Sequence, residues 1–406
     1  MIFSCFLGMK ITIIGISDSV PEFTAKEQGL IQSVQCFAGG SRHKQLVADF
    51  LPAGSCWHDI VVPLTKLYQA MEDSRGDWVV FASGDPLFYG IGITLKRVFP
   101  TAEIDILPDF NSLQLLAHQF QLPYGEFQTV SLTGRSFDAL DKALIQGRAR
   151  MGILTDRKNT PVSIAQHMLD YGYANYCMYF GECLGGENQR VLKLSLEEAV
   201  KMTFRHPNCF FLEKTDDVMP VKGIPENVFE PLVGRPKMIT KMPIRMATLA
   251  FMELNAKKVF WDVGACTGSV SIDARLNHPH LKVIAFEIRE ESQGIIHRNV
   301  RKFKAPGIEV LMGDYLQVQK NELKKPDAVF LGGYGGRMEA VLDDIHLYLR
   351  ENGIIAFNSV SEGSQKRFVA WCHQRAYQLT QTVQMSVDQF NPITILIAQK
   401  PDGSEF

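Results

Sequence analysis

No run of apolar residues in this sequence approaches the roughly 18 that a membrane-spanning helix requires, so a transmembrane protein is not expected. The opening Met1 to Gly8 is apolar but short. Without a leading positive charge or a small-residue cleavage site it does not read as a signal peptide, and it is given no function. The eight cysteines include no CxxC pair and no Cys/His cluster at structural-zinc spacing, which leaves them as reduced thiols of a cytoplasmic protein with no metal centre. Nor is there an excess of charge of one sign: 42 Lys and Arg stand against 44 Asp and Glu, a net charge of −2. No global positive field gathers the chain on nucleic acid or an anionic membrane, so neither is an expected partner. A polyanionic ligand must then be met by a local basic site. Tandem repeats, low-complexity tracts and any prominent Ser-His-Asp or Cys-His arrangement are missing too.

What is present is the composition of a chain that buries full cores, with 46% hydrophobic and 21% charged residues. At 406 residues it exceeds the roughly 250–300 at which a single core stops growing, so two domains are expected. Gly-punctuated strand-like runs alternate with helical patterns throughout, which predicts α/β architecture with largely parallel sheets. Pro207, Pro220, Pro225, Pro231 and Pro236 interrupt both periodicities. The expected organisation is therefore a domain over 9–215, a Pro-rich linker over 216–236 and a second domain over 237–406.

In the second half, Val259-Phe260-Trp261-Asp262-Val263 has a buried-strand pattern, and Gly264-Ala265-Cys266-Thr267-Gly268 turns it into a helix starting near Ser269. Further strands are expected at Lys282 to Phe286, ending on Glu287, at Ile308 to Met312, ending on Gly313-Asp314, at Asp327 to Leu331, and through Ile354-Ile355-Ala356-Phe357. Gln378 to Met385 and Ile393 to Ala398 have no helical pattern between them, which predicts an antiparallel hairpin at the edge of a seven-stranded, doubly wound, Rossmann-like sheet. Such a sheet binds its ligand at the carboxyl ends of the strands, where the first turn presents backbone N–H groups and a helix N-terminus. Gly264 and Gly268 supply that turn, Glu287 is placed to accept two ribose hydroxyls, and Asp314 to accept an adenine amino group. A glycine turn alone equally suits a dinucleotide enzyme or close packing. The turn is not GxGxxG and no second dinucleotide half follows, which weighs against a nicotinamide cofactor.

Gly234-Arg235-Pro236-Lys237-Met238-Ile239-Thr240-Lys241, the stretch Trp261 to Ser271, and Pro326-Asp327-Ala328-Val329-Phe330-Leu331-Gly332-Gly333 together resemble the carbon-15-methylating, decarboxylating family of cobalamin biosynthesis, a class I methyltransferase family. The resemblance implies that Thr240 and Lys241 flank the ligand pocket, that Gly264 and Gly268 hold the methionine part of S-adenosylmethionine, that Glu287 holds the ribose, and that Gly313 and Asp314 lie on the adenine side. Arg235, Lys237, Lys241 and Arg245 are candidate partners for substrate carboxylates. The family generally has glycine where this chain has Cys266. If that position needs a positive φ, a side chain there costs roughly 1–2 kcal/mol, and if it needs only close approach, the side chain crowds the cofactor; either weakens cofactor binding without abolishing it. A chemical role for the thiol is not expected.

In the first half, Trp78 to Gly92 reads as a buried strand, a Gly84-Asp85-Pro86 turn and a helix start, with Gly84 allowing close backbone approach, Asp85 as cap and Pro86 in the first helical position. Taken alone, that is ordinary capping. Gly39-Gly40-Ser41-Arg42-His43, Asn111-Ser112-Leu113-Gln114, Val130 to Arg135, Leu154-Thr155-Asp156 and Gly181 to Gly186 add a longer context. Together these segments resemble the carbon-5-methylating branch of the tetrapyrrole methylase family over most of residues 10–215. The resemblance implies a two-lobed α/β fold with its own S-adenosylmethionine cleft, lined by Gly84, Asp85, Gly90, Ser112 and Thr155, and with Arg42 and His43 facing the substrate. A solvated basic turn is the other reading of Arg42-His43-Lys44. The family's first strand usually ends in Gly-x-Gly, whereas this chain has Gly15-Ile16-Ser17.

The two resemblances in this order imply a fused enzyme of cobalamin biosynthesis with one S-adenosylmethionine per domain. It would methylate a polyanionic tetrapyrrole, metal-free or cobalt-bearing, at carbons 5 and 15 and decarboxylate an acetate side chain. A homo-oligomer is expected. Two other readings stand beside it. A nucleic-acid methyltransferase acting on an exocyclic amine would carry an Asn/Asp-Pro-Pro-aromatic loop where this chain has Leu331-Gly332-Gly333-Tyr334. A protein with one inactive domain would bind cofactor without full turnover.

Overall fold

The computed structural model describes residues 8–74, 76–216, 222–388 and 391–402. Most of the apolar opening and the stretch of the expected linker that holds Pro220 lie outside the described residues. Two compact units emerge. The first takes in the described residues of Met1–Arg135, Ala149–Gln166 and Asn175–Thr215, the second those of Ser136–Arg148, His167–Ala174 and Asp216–Phe406.

The first unit holds two sheets. Strands β1 (Lys10–Ile16), β2 (Cys36–Gly39), β3 (Cys56–Asp59), β4 (Trp78–Ser83) and β5 (Glu103–Leu107) form an all-parallel sheet in the order β3-β2-β4-β1-β5. The central strands β1 and β4 are nearly continuous apolar runs, as strands covered on both faces require. Strands β6 (Gln128–Ser131), β7 (Arg150–Leu154), β8 (Tyr176–Glu182), β9 (Arg190–Ser195) and β10 (Asn208–Lys214) form the other sheet, in the order β6-β7-β10-β8-β9. Here only β6 and β7 run parallel, while β7-β10, β10-β8 and β8-β9 are antiparallel. The expectation of largely parallel sheets is thus corrected for this lobe. β8 and β9 are joined by a short turn with no intervening helix, and such a connection can only reverse the chain.

The second unit is built on a seven-stranded sheet of β11 (Val259–Val263), β12 (Lys282–Glu287), β13 (Ile308–Met312), β14 (Ala328–Leu331), β15 (Ile354–Ser359), β16 (Gln378–Met385) and β17 (Ile393–Gln399). Its order is β13-β12-β11-β14-β15-β17-β16, parallel as far as β15, with β17 and β16 antiparallel at the edge as expected. Strand order runs outward in opposite senses from the junction of the parallel strands β11 and β14, and this switch point opens the crevice at the carboxyl ends of the strands. Apolar side chains fill both faces: Trp261, Val329 and Ile355 point to one core, Phe260, Ala328 and Ile354 to the other. No described helix is long and apolar enough to cross a membrane.

Candidate functional site

In the first unit, a cavity of about 570 Å³ is lined from both sheets by residues that include Ser17, Arg42, His43, Gly84, Gly90, Ser112 and Thr155. Gly84 ends β4 at φ +58°, and a Cβ there would lie 2.7 Å from the Asn111 Cα, so only glycine lets the two chain segments approach this closely. Asn111 caps the helix Ser112–Phe120 through a reciprocal capping box with Gln114, which fixes Ser112 at the cavity wall. On the opposite lobe the Thr155 hydroxyl donates to the carbonyl of Asn208 at 2.6 Å. Asp85 does not line the cavity; its Oδ1 accepts from the Leu87 N–H at 2.8 Å and shapes the turn. The expected helix start at Asp85-Pro86 is corrected. The helix begins at Ile91 with Gly90 as its cap, because residues 85–89 are spent on a turn that includes Tyr89 at φ +55°.

Arg42 and His43 both reach this cavity. Arg42 pairs with Asp18 at 2.7 Å and donates to the Ser83 hydroxyl at 2.8 Å. The Gly40 N–H donates to His43 Nδ1 at 3.2 Å, so the ring proton belongs on Nε2, which lies 3.0 Å from the Ser83 hydroxyl. Burial, reinforced by the Arg42 charge, pushes the His43 pKa down to about 4. The imidazole is therefore neutral at pH 7. Ser17, which stands where a glycine was expected, turns its hydroxyl to Ser19 at 3.0 Å and lies on the same wall.

In the second unit, Gly264, Glu287, Gly313 and Asp314 come together around a smaller hollow of about 100 Å³, with Arg289, Tyr315, Tyr334 and Arg337 on its walls. Gly264 has φ +83°, and a Cβ there would fall 2.5 Å from the Gly333 nitrogen. Glu287 is buried, its Oε2 accepting from the Cys266 N–H at 2.7 Å and its Oε1 from the N–H groups of Ile288 and Arg289 at 3.0 and 2.9 Å. It ties the glycine turn to the end of β12, and Oε2 keeps a lone pair for a further donor. Asp314 receives Arg337 Nη2 on both oxygens at 2.9 and 2.8 Å, and this guanidinium holds its carboxyl below the usual range. Arg289 and Arg337 were not singled out in the sequence. Their signals are slight: one follows Glu287 by two residues, the other closes the Gly335-Gly336 run.

Cys266 does take a left-handed conformation, at φ +54°. Its thiol donates to the Met238 carbonyl at 3.0 Å, and burial pushes its pKa up to about 11, so it stays protonated. Gly268 caps the helix Ser269–Asn277 at φ +77° and packs on Ile296 without lining the hollow.

The basic candidates fare unequally. Arg245 is corrected: it is fully buried, its Nε 2.5 Å from Asp273 Oδ2, with its other nitrogens donating to the carbonyls of Thr240 and Ile224. A buried guanidinium needs an acceptor at each nitrogen, and all of these are internal, so none is left for a substrate. Thr240 thus serves Arg245 through its carbonyl. Lys241 pairs with Glu226 at 2.9 Å, while Arg235 and Lys237 are exposed.

The donor chemistry fits S-adenosylmethionine. Ribose hydroxyls and the adenine amino group all donate, and Glu287 and Asp314 place carboxylates at the ends of adjacent strands to accept. Asp262 Oδ1 and Thr267 Oγ1, both buried at the same turn, have no hydrogen-bond partner among the described residues, as befits a turn completed by a ligand. No described group of three His, Cys, Asp or Glu side chains is placed to hold a metal ion.

Comparison with known proteins finds a methyltransferase family for each half of the chain. Residues 10–200 match the Tetrapyrrole (Corrin/Porphyrin) Methylases, and residues 234–402 match the Precorrin methyltransferase domain. A Sinorhizobium protein named precorrin-6Y C(5,15)-methyltransferase [decarboxylating] is 30% identical over 359 residues, covering 86% of this chain and 84% of that protein. Two Salmonella typhimurium proteins match part of the chain each, both at 30% identity. Cobalt-precorrin-6B C(15)-methyltransferase (decarboxylating) covers 43% of this chain and 90% of its own length, and cobalt-precorrin-7 C(5)-methyltransferase covers 40% and 78%. Fold and relatives together define an S-adenosylmethionine-dependent C-methyltransferase with two methyltransferase modules. The chain belongs to the precorrin-6Y C(5,15)-methyltransferase (decarboxylating) family.

Proposed function

We propose that the chain methylates precorrin-6Y, or its cobalt form, at carbons 5 and 15 and decarboxylates an acetate side chain, with residues 9–215 acting at carbon 5 and residues 237–406 at carbon 15. The observation that carries this reading is the presence of two separate sites, the cavity beneath Gly84 in one unit and the Glu287–Asp314 hollow beside Gly264 in the other. When bound, S-adenosylmethionine supplies an electrophilic methyl group. Gly84, Gly90, Ser112 and Thr155 would hold it in the first site, and Gly264, Glu287, Gly313 and Asp314 in the second.

The protein's own task is positioning. An electron-rich macrocycle carbon needs in-line alignment more than it needs a strong base, and alignment is what rigid walls supply. Arg42 offers a guanidinium to a substrate carboxylate, and neutral His43 beside it adds no second charge. Exposed Arg235 and Lys237 offer the same to the carboxylates of the second reaction. Incubating the purified protein with methyl-labelled S-adenosylmethionine and an extract that accumulates the precorrin should label a tetrapyrrole; no labelled tetrapyrrole would contradict the proposal. The left-handed Cys266 favours one second reading, a C-terminal half with little turnover. By equilibrium dialysis, two cofactors per chain favour two working domains, and one per chain favours the second reading.

A further inference from the structure

At the end of the seven-stranded sheet opposite the glycine turn, the second unit contains a cavity of about 600 Å³ to which neither methyl transfer gives a role. It lies at the amino ends of the strands: Lys258 precedes β11, Lys282 opens β12, Gly307 precedes β13, and Lys324 and Arg350 lead into β14 and β15. Lys142 and Arg275 complete a wall with six permanently cationic side chains, against which the lining offers one carboxylate, Asp138.

Two of the cations are already neutralised, Lys282 by Glu309 at 2.8 Å and Arg350 by Asp327 at 3.5 Å. The ammonium groups of Lys142, Lys258 and Lys324 have no partner among the described residues. Arg275 is built in. It is 3% exposed, its Nε donates to the Pro306 carbonyl at 2.7 Å, and its Nη1 donates to the carbonyls of Pro279 and Leu281 at 2.8 and 2.7 Å. Its Nη2 is turned to Gly307, another wall residue, where a Cβ would lie 2.6 Å away. Like charges gathered round one concavity repel until an anion enters, and a chain of net charge −2 has no general cause to gather them.

We propose that this cavity binds a small polyanion bearing at least two carboxylate or phosphate groups, at a site separate from both methyl-transfer sites. The volume suits a small molecule. The fixed Arg275 guanidinium supplies orientation, and the three unpaired lysines supply attraction.

Isothermal titration calorimetry on the full chain, at constant ionic strength, tests this with citrate as the polycarboxylate, pyrophosphate as the polyphosphate and acetate as the monovalent control. One or both polyanions should bind with a stoichiometry of one where acetate does not, and the tighter of the two identifies the source chemistry. The K142A/K258A/K324A variant should weaken that binding about tenfold or more. Asp138→Lys, which reverses the charge of the one carboxylate in the lining, should tighten it. A K26A/K201A/K366A variant, with the same charge removed elsewhere, should bind as the wild type does. Polyanions that bind no better than acetate, or a charge-matched variant that loses as much as the cavity variant, would overturn the proposal. Methyl transfer is not the readout, so the result is independent of the functional reading above.

Discussion

Cys266 stands at φ +54° in a turn whose neighbours Gly264 and Gly268 have φ +83° and +77°. A side chain in the left-handed region costs roughly 1–2 kcal/mol. Cys266→Gly should therefore leave the fold intact and tighten cofactor binding in the second unit, by up to about tenfold, as read by calorimetry. Loss of methylation with binding retained would instead give the thiol a chemical role. His43 carries a second prediction. Its folded pKa of about 4 lies below the ordinary 6.5, so the unfolded chain takes up the proton first as pH falls. Its contribution to stability is thus constant above about pH 6.5 and is lost between about 6.5 and 4. The ring resonances of His43 in an NMR titration should not move between pH 8 and 5.5; an apparent pKa near 6.5 would show a solvated ring.

Between the helices Met242–Phe251 and Ser269–Asn277, the Arg245–Asp273 pair forms a buried clasp with both side chains 0% exposed. Removing one partner strands a buried charge, which typically costs about 3–5 kcal/mol. Arg245→Ala should lower the unfolding midpoint of the second unit sharply, and replacing both partners with apolar residues should recover much of the loss. Equal destabilisation by the single and double variants would show that the pair is not coupled. This clasp marks the limit of what was legible in the chain. β11 to β14 could be read because each is a largely apolar run ended by glycine or an acid, and β16 and β17 because no helical pattern lies between them. Arg245 looked like a substrate cation because nothing local distinguishes a buried guanidinium from an exposed one. The distinction comes from Asp273, a helix away. Arg337 was missed for the same reason, its partner Asp314 being 23 residues distant. The antiparallel pairing of β8, β9 and β10 and the helix start at Ile91 depend on chain reversal and on a turn that strand and helix periodicities do not encode.

At the scale of the whole molecule, chain order and compactness part company. The segments Ser136–Arg148 and His167–Ala174 belong to the second unit, although the chain on both sides of each belongs to the first. Each unit nonetheless has its own glycine turn and its own site, and from this comes the central claim that one chain performs two separable methyl transfers. The most direct measurement is mass spectrometry of the tetrapyrrole products made by the Asp85→Ala and Asp314→Ala variants. Asp85→Ala loosens the turn behind the first cavity and should cost the carbon-5 methyl group. Asp314→Ala removes the carboxylate proposed for the adenine side of the second site and should yield a product with a single added methyl group that has not lost carbon dioxide. If either substitution eliminates both methyl groups equally, while circular dichroism shows both units folded, the two halves form one composite site and the account is wrong.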